Sequence, residues 1–131
     1  MKKRILVADD DHDMSYELSG ILKNRGYEVK TAGDGQAALK LAGKQKFDLL
    51  LLDLKMPVMT GFEVLKELNA KKIRIKTIVL TGNIIDSSLP DEKDMNHEEK
   101  ARILKLADFV MSKPYDMKKL LQKIQKYTSG M

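Results

Sequence analysis

FDLLLLDLKMPVMTG, residues Phe47 to Gly61, sets the reading of the whole chain. Its four consecutive leucines, Leu49 to Leu52, show neither the alternation of a half-buried strand nor the spacing of a helix. They therefore predict a strand buried on both faces, the central strand of a parallel sheet. Asp53 ends the run. A carboxylate costs several kcal/mol to desolvate, so it belongs where the strand leaves the core, at the carboxyl edge where open α/β sheets bind ligands. Pro57 forbids strand continuation. Thr60-Gly61-Phe62-Glu63 then matches the S/T-x-x-E capping box, with Phe62, Leu65 and Leu68 at helical spacing behind it, so a helix starts near Thr60.

Upstream, the apolar run Arg4 to Ala8 stops at Asp9-Asp10-Asp11, and Met14, Leu18, Ile21 and Leu22 recur at helical spacing. Either Asp11 or Asp13 can cap that helix. Gly26 is a left-handed cap candidate, Tyr27 to Ala32 alternates as a strand near the sheet edge, and Gly33-Asp34-Gly35 turns into a helix over Gln36 to Lys44. Downstream, Ile73, Ile75, Ile78, Val79 and Leu80 lead into Thr81-Gly82-Asn83 as a fourth strand and its loop. Ile84 to Asn96, with its serines, acids and Pro90, reads as an irregular connection and the least tightly packed part of the chain. Its conformations are expected to respond to chemistry at Thr81. A helix follows around Ile103, Leu104 and Ala107, then a brief strand Phe109 to Met111 ended by Ser112-Lys113-Pro114. Asp116 caps a last helix with Met117, Leu120, Leu121 and Ile124 on one face. Five strands alternating with five helices predict an α/β fold, a parallel sheet covered on both faces with right-handed crossovers.

Length and charge set the outer bounds. At 131 residues and 43% hydrophobic, the chain is read as a single domain over 1–131. The net charge of +5 is spread over lysines interleaved with carboxylates, without an aromatic stacking set, which argues against direct nucleic-acid binding. There is no cysteine, hence no disulfide or thiolate metal site, and no apolar run of the roughly 20 residues a membrane span needs. The expected setting is the cytoplasm.

Parallel strands place their carboxyl ends on one edge, so Asp9-Asp10, Asp53, Thr81 and Lys113 should converge. Carboxylates about 4 Å apart repel by roughly 4 kcal/mol per pair at an effective dielectric of 20. They must therefore raise a pKa or hold a cation. Oxygen donors without thiol or clustered imidazole favour a hard ion, Mg²⁺. A metal, a lysine and a threonine hydroxyl around one carboxylate suit a phosphoryl group, with the carboxylate as nucleophile. Each residue also has a plainer role: Asp9 and Asp10 as helix caps, Asp53 as a polar strand end, Thr81 as a β-former, Lys113 as a solvated charge. Convergence is what lifts them above it. His12 adjoins the acidic loop but is read as solvent-facing, as is His97. The methionines, Met56 and Met59 included, read as loop and core packing.

ILVADDD, LLLLDLKMPVMTG, IVLTG and SKPY occur in that order and resemble the signature segments of the response-regulator receiver family of two-component signalling. The resemblance implies a flavodoxin-like doubly wound five-stranded sheet, order 2-1-3-4-5. It implies phosphoryl transfer from a sensor histidine kinase or phosphotransfer protein, with Mg²⁺, and a switched surface for a downstream partner or an output domain outside this sequence. A phosphorylation-dependent dimer stays open. By resemblance, Asp53 is the phosphoacceptor and also contacts the metal, Asp10 is a direct ligand with Asp9 supporting it, and Lys55 contributes its backbone carbonyl. Thr81 follows the phosphoryl group, and Lys113 pairs with it across a cis Lys113-Pro114 bond. Such a domain is a phosphoacceptor that promotes its own phosphorylation and dephosphorylation, not a turnover enzyme.

Other readings want other residues. An aspartyl phosphohydrolase would want D-x-D followed by Thr or Val, and a flavin-binding relative a glycine- and hydroxyl-rich loop where three aspartates stand. A pseudo-receiver usually lacks an acid or the lysine, and neither is missing. Two departures stand out. The aromatic residue common three positions before the lysine is Val110 here, with Phe109 on the opposite side-chain parity. The interval from Thr81 to Lys113 is longer than a receiver normally has, with the excess assigned to Ile84 to Asn96.

Overall fold

The computed structural model describes residues 2–82 and 97–129. Strands β1 (Arg4–Ala8), β2 (Glu28–Ala32), β3 (Leu49–Asp53), β4 (Lys76–Thr81) and β5 (Phe109–Ser112) alternate with helices α1 (His12–Asn24), α2 (Gly35–Lys44), α3 (Gly61–Ala70), α4 (His97–Leu104) and α5 (Met117–Thr128). The strands are parallel in the order β2-β1-β3-β4-β5, the doubly wound arrangement expected, with β2 at an edge.

The leucine run is the centre of two cores. Successive strand residues point to opposite faces, so Leu49 and Leu51 join Ile5, Val7, Leu18, Leu22, Leu120 and Ile124 under α1 and α5. Leu50 and Leu52 join Leu6, Ala38, Phe62, Leu65 and Ile103 under α2, α3 and α4. All five residues of β3 are buried. Each buried leucine stabilises by roughly 2 kcal/mol relative to exposure.

Helix starts follow the sequence closely. Asp11, rather than Asp13, caps α1 by accepting from the Met14 N–H at 3.1 Å. Asp34 caps α2 through the Ala37 N–H at 2.8 Å, so α2 begins one residue earlier than expected. Thr60 and Glu63 form the reciprocal capping box, and Asp116 caps α5. Gly26 takes φ +96° as the left-handed residue after α1.

Two boundaries differ from expectation. β4 starts at Lys76 rather than Ile73, because the Ile73 N–H donates to the Leu68 carbonyl at 2.9 Å and that residue closes α3 instead. β5 runs on to Ser112, which pairs with Thr81. The irregular connection expected over Ile84 to Asn96 lies outside the described residues. Val110 is half-buried against the core on the face of α2, α3 and α4, whereas Phe109 packs on the other face with the Lys123 ammonium 4.4 Å from its ring centre. Phe109 therefore does not replace the missing aromatic at Val110.

In the loop between β3 and α3, Val58 is 75% exposed and has φ +68°. A β-branched residue there strains its Cβ against the following carbonyl by about 1–2 kcal/mol. Val58→Asn, which tolerates this region and loses no core contact, is expected to raise stability by about 1 kcal/mol in urea unfolding. An unchanged or lowered midpoint would show that the loop does not carry this strain.

Candidate functional site

Strand parity builds the site. Ile5 and Val7 of β1 sit beside Leu49 and Leu51 of β3 on one face, and the register Ala8↔Leu52 carries the series on to Asp9 and Asp53 at the carboxyl edge. Asp9 is 3% exposed and Asp53 7%. Asp10 lies in the turn beyond β1 and is exposed. Oxygens of Asp9, Asp10 and Asp53 all lie within 4.8 Å of one another. From β5 and its cis Lys113-Pro114 bond comes Lys113, whose Nζ is 3.3 Å from Asp9 Oδ2 and 3.6 Å from Asp53 Oδ2.

Backbone donors complete the frame. The Asp11 N–H donates to Asp9 Oδ1 at 2.9 Å and the Lys55 N–H to Asp53 Oδ1 at 3.3 Å. Thr81 is buried one residue past the Asp53↔Leu80 register pair, and its carbonyl accepts from the Lys113 N–H at 2.7 Å. That bond joins the ends of β4 and β5, so Thr81 and Lys113 are fixed relative to one another. The Lys55 side chain is exposed. His12 is exposed too, with Cε1 3.3 Å from where a Cβ on Gly33 would stand. It packs over that glycine and is absent from the acidic cluster among the described residues.

The Asp53 pKa is raised from 3.8 to about 6, chiefly by burial and next by the Asp9 carboxylate. The Lys113 ammonium and the Lys55 N–H oppose both. With all three acids ionised, one ammonium leaves two negative charges uncompensated at the carboxyl edge of the sheet. The donor set is all oxygen, with no thiolate, which suits a hard divalent cation such as Mg²⁺. Asp53 is a buried carboxylate at the end of the central strand, deprotonated near neutral pH and facing the Lys113 ammonium, so it can serve as a nucleophile toward an anionic electrophile whose charge the site compensates.

One neighbour escaped the sequence reading. Tyr115 packs against the core that lies under α1 and α5, and burial pushes its hydroxyl pKa up, with the carboxylates of Asp9, Glu17 and Asp11 acting in the same direction. Its place in SKPY, directly after the cis proline, was the available signal.

The model of the response regulator receiver domain family matches residues 5–125. Among similar curated proteins, the sporulation initiation phosphotransferase F of Bacillus subtilis is 32% identical over 127 residues, 97% of this chain and 94% of that protein. The alkaline phosphatase synthesis transcriptional regulatory protein PhoP of Bacillus subtilis is 35% identical over 128 residues, 95% of this chain. The chain spans 48% of that relative's length. Among solved structures, the response regulator protein TrrA of Thermotoga maritima, in complex with Mg²⁺-BeF, superposes with a TM-score of 0.74 at 33% identity. The match covers 95% of this chain and 98% of that one.

Proposed function

This chain belongs to the response regulator receiver domain family, and from that premise we propose that Asp53 is its phosphoacceptor. The donor is a sensor histidine kinase or a phosphotransfer protein. The observation that carries the proposal is the placement of Asp53: the acid at the end of the central strand, clustered with Asp9 and Asp10 and 3.6 Å from the Lys113 ammonium. We read residues 1–131 as one receiver domain. The switched surface acts on a downstream protein partner or an output domain.

An Asp53 carboxylate oxygen attacks phosphorus, the P–N bond of a phosphohistidine breaks, and the electron pair leaves with the imidazole, which takes up a proton. Acetyl phosphate reacts in the same way, releasing acetate. Lys113, paired with both Asp9 and Asp53, is positioned to compensate the charge that the phosphoryl oxygens bring. Asp10, Asp53, the Lys55 carbonyl and, in support, Asp9 would hold Mg²⁺, which when bound supplies the positive charge that the transferring group needs. The Thr81 hydroxyl, at the end of β4, would reorient toward the phosphoryl group and alter the surface offered to a partner. The cytoplasmic setting and the self-catalysed gain and loss of phosphate belong to this same proposal. Among the described residues, no helix is long and apolar enough to cross a membrane.

Incubation with acetyl phosphate and Mg²⁺ is expected to add the mass of one phosphoryl group, and EDTA to prevent it. Labelling that proceeds equally well without a divalent ion would remove the metal from the proposal.

Mg²⁺ binding gives a second prediction. Asp10→Ala is expected to weaken Mg²⁺ binding at least tenfold and His12→Ala hardly at all. Binding requires Asp53 deprotonated, and its pKa is raised to about 6. Affinity should hold above that pH and fall roughly tenfold per unit below it. NMR titrations with MgCl₂ between neutral and acid pH read both effects. A larger loss from His12→Ala would show the ligand assignment to be wrong.

A further inference from the structure

A groove of about 520 Å³ opens at the amino edge of the sheet, at the far end of β4 from Thr81, and the phosphoryl chemistry makes no use of it. Its origin is visible in Lys71-Lys72-Ile73-Arg74-Ile75-Lys76, where cations alternate with isoleucines. Ile73 and Ile75 turn inward to pack on the core, while Lys72, Arg74 and Lys76 remain exposed. Leu65 and Leu68 of α3 continue the floor. Leu106, 42% exposed, and Asp108 form the opposite wall, in the turn before β5.

The result is an aliphatic floor with a cationic rim. Lys76 lies 3.7 Å from Asp108, an exposed pair that contributes little. Lys72 and Arg74 have no ion-pair partner among the described residues. The lining thus carries three cations against one carboxylate. Long-range repulsion among these charges stays modest only while the groove is wet. An occupant that displaces water from the isoleucines must also bring negative charge.

We propose that this groove docks an acidic segment of a partner protein, seating one or two aliphatic side chains on Ile73, Ile75 and Leu106 and its carboxylates on Lys72 and Arg74. The volume suits a short segment and falls within the ordinary range for concave sites. Nucleic acid fits less well, because no aromatic ring lines the groove to stack a base. A bilayer surface would meet a concavity instead of a basic plane. Since the groove and Asp53 lie at opposite edges of the sheet, the docked segment leaves the phosphoryl site open, and the inference goes beyond the phosphoacceptor reading.

An NMR titration tests this, using a synthetic peptide of alternating Glu and Leu, the same peptide with each Glu replaced by Lys, a DNA duplex, and phosphatidylserine vesicles. Saturable shifts of the Ile73, Ile75 and Leu106 amides are expected with the acidic peptide alone. Combined Lys72→Glu and Arg74→Glu, both at exposed positions, should cut its affinity by on the order of tenfold or more. Leu106→Ser should weaken it without altering charge. Acetyl phosphate labelling and the melting temperature should stay as in the unsubstituted protein. Absence of shifts at these amides, binding that survives the double charge reversal, or preferential binding of the duplex or the vesicles through these residues would overturn the proposal.

Discussion

Asp53→Asn is expected to yield a protein that folds more stably at neutral pH and takes up no phosphoryl group. The second effect follows from the loss of the nucleophilic oxygen. Asn is nearly isosteric, and Lys113 keeps its pair with Asp9, so the pocket stays assembled. The first follows from the raised pKa: Asp53 goes from 3.8 to about 6 on folding, so between those values the folded state binds more protons than the unfolded state. Stability therefore falls as pH rises through that window, and the cost is complete above about pH 6. The shift corresponds to roughly 1–3 kcal/mol. Denaturation in EDTA should then show Asp53→Asn more stable by that order at pH 7, with the advantage gone once the pH is well below 3.8. An advantage that instead grew toward acid pH would contradict the burial and Asp9 repulsion that set this pKa.

Gly61→Ala is expected to damage both stability and phosphorylation. A Cβ at Gly61 would stand 2.5 Å from the Asp53 carbonyl oxygen and 2.7 Å from the Leu54 Cα, both backbone atoms that cannot rotate away. On the other side of the same loop, a Cβ at Gly35 would stand 2.0 Å from the Met59 carbonyl oxygen. The loop from Leu54 to Thr60 is thus pressed between the starts of α2 and α3, and both glycines are required by close approach. Relief needs a backbone shift, at a cost of about 3 kcal/mol for either substitution. At Gly61 the shift also moves Asp53 relative to Asp9 and Lys113. A displacement near 1 Å costs roughly a hundredfold in rate. Thermal melts with rates of acetyl phosphate labelling check this. A Gly61→Ala protein with unchanged melting and labelling would show that the contact between α3 and β3 can relax freely.

The fold was legible because several local signals agreed. Four leucines without periodicity placed β3, and Thr60, Asp116 and the pair Asp11 or Asp13 marked three helix starts that the backbone adopts, whereas Asp34 read only as a turn residue and caps α2. The start of β4 was not legible, since Ile73 and Ile75 alternate as strand residues do. Only the bond from the Ile73 N–H to the Leu68 carbonyl reveals that Ile73 closes α3 instead. The same alternation gives the groove its floor and rim, a tertiary consequence that composition cannot show. At the acidic corner, residue types and strand ends indicated which groups meet. The pairing of Lys113 with both Asp9 and Asp53, and the approach of Tyr115, depend on how β5 leaves the sheet.

The central claim is that one named carboxylate receives the phosphoryl group, and borohydride trapping followed by peptide mapping tests it most directly. Borohydride reduces an aspartyl phosphate to homoserine. Trypsin cleaves after Lys46 and Lys55, releasing FDLLLLDLK with both Asp48 and Asp53 in it. Asp48 is at the opposite end of β3, accepting from the Arg4 N–H at 2.8 Å, and serves as an internal control. The predicted result is homoserine at position 53 alone, dependent on acetyl phosphate and Mg²⁺. Homoserine at Asp9, Asp10 or Asp48, or none in a protein that has gained the mass of a phosphoryl group, would contradict it.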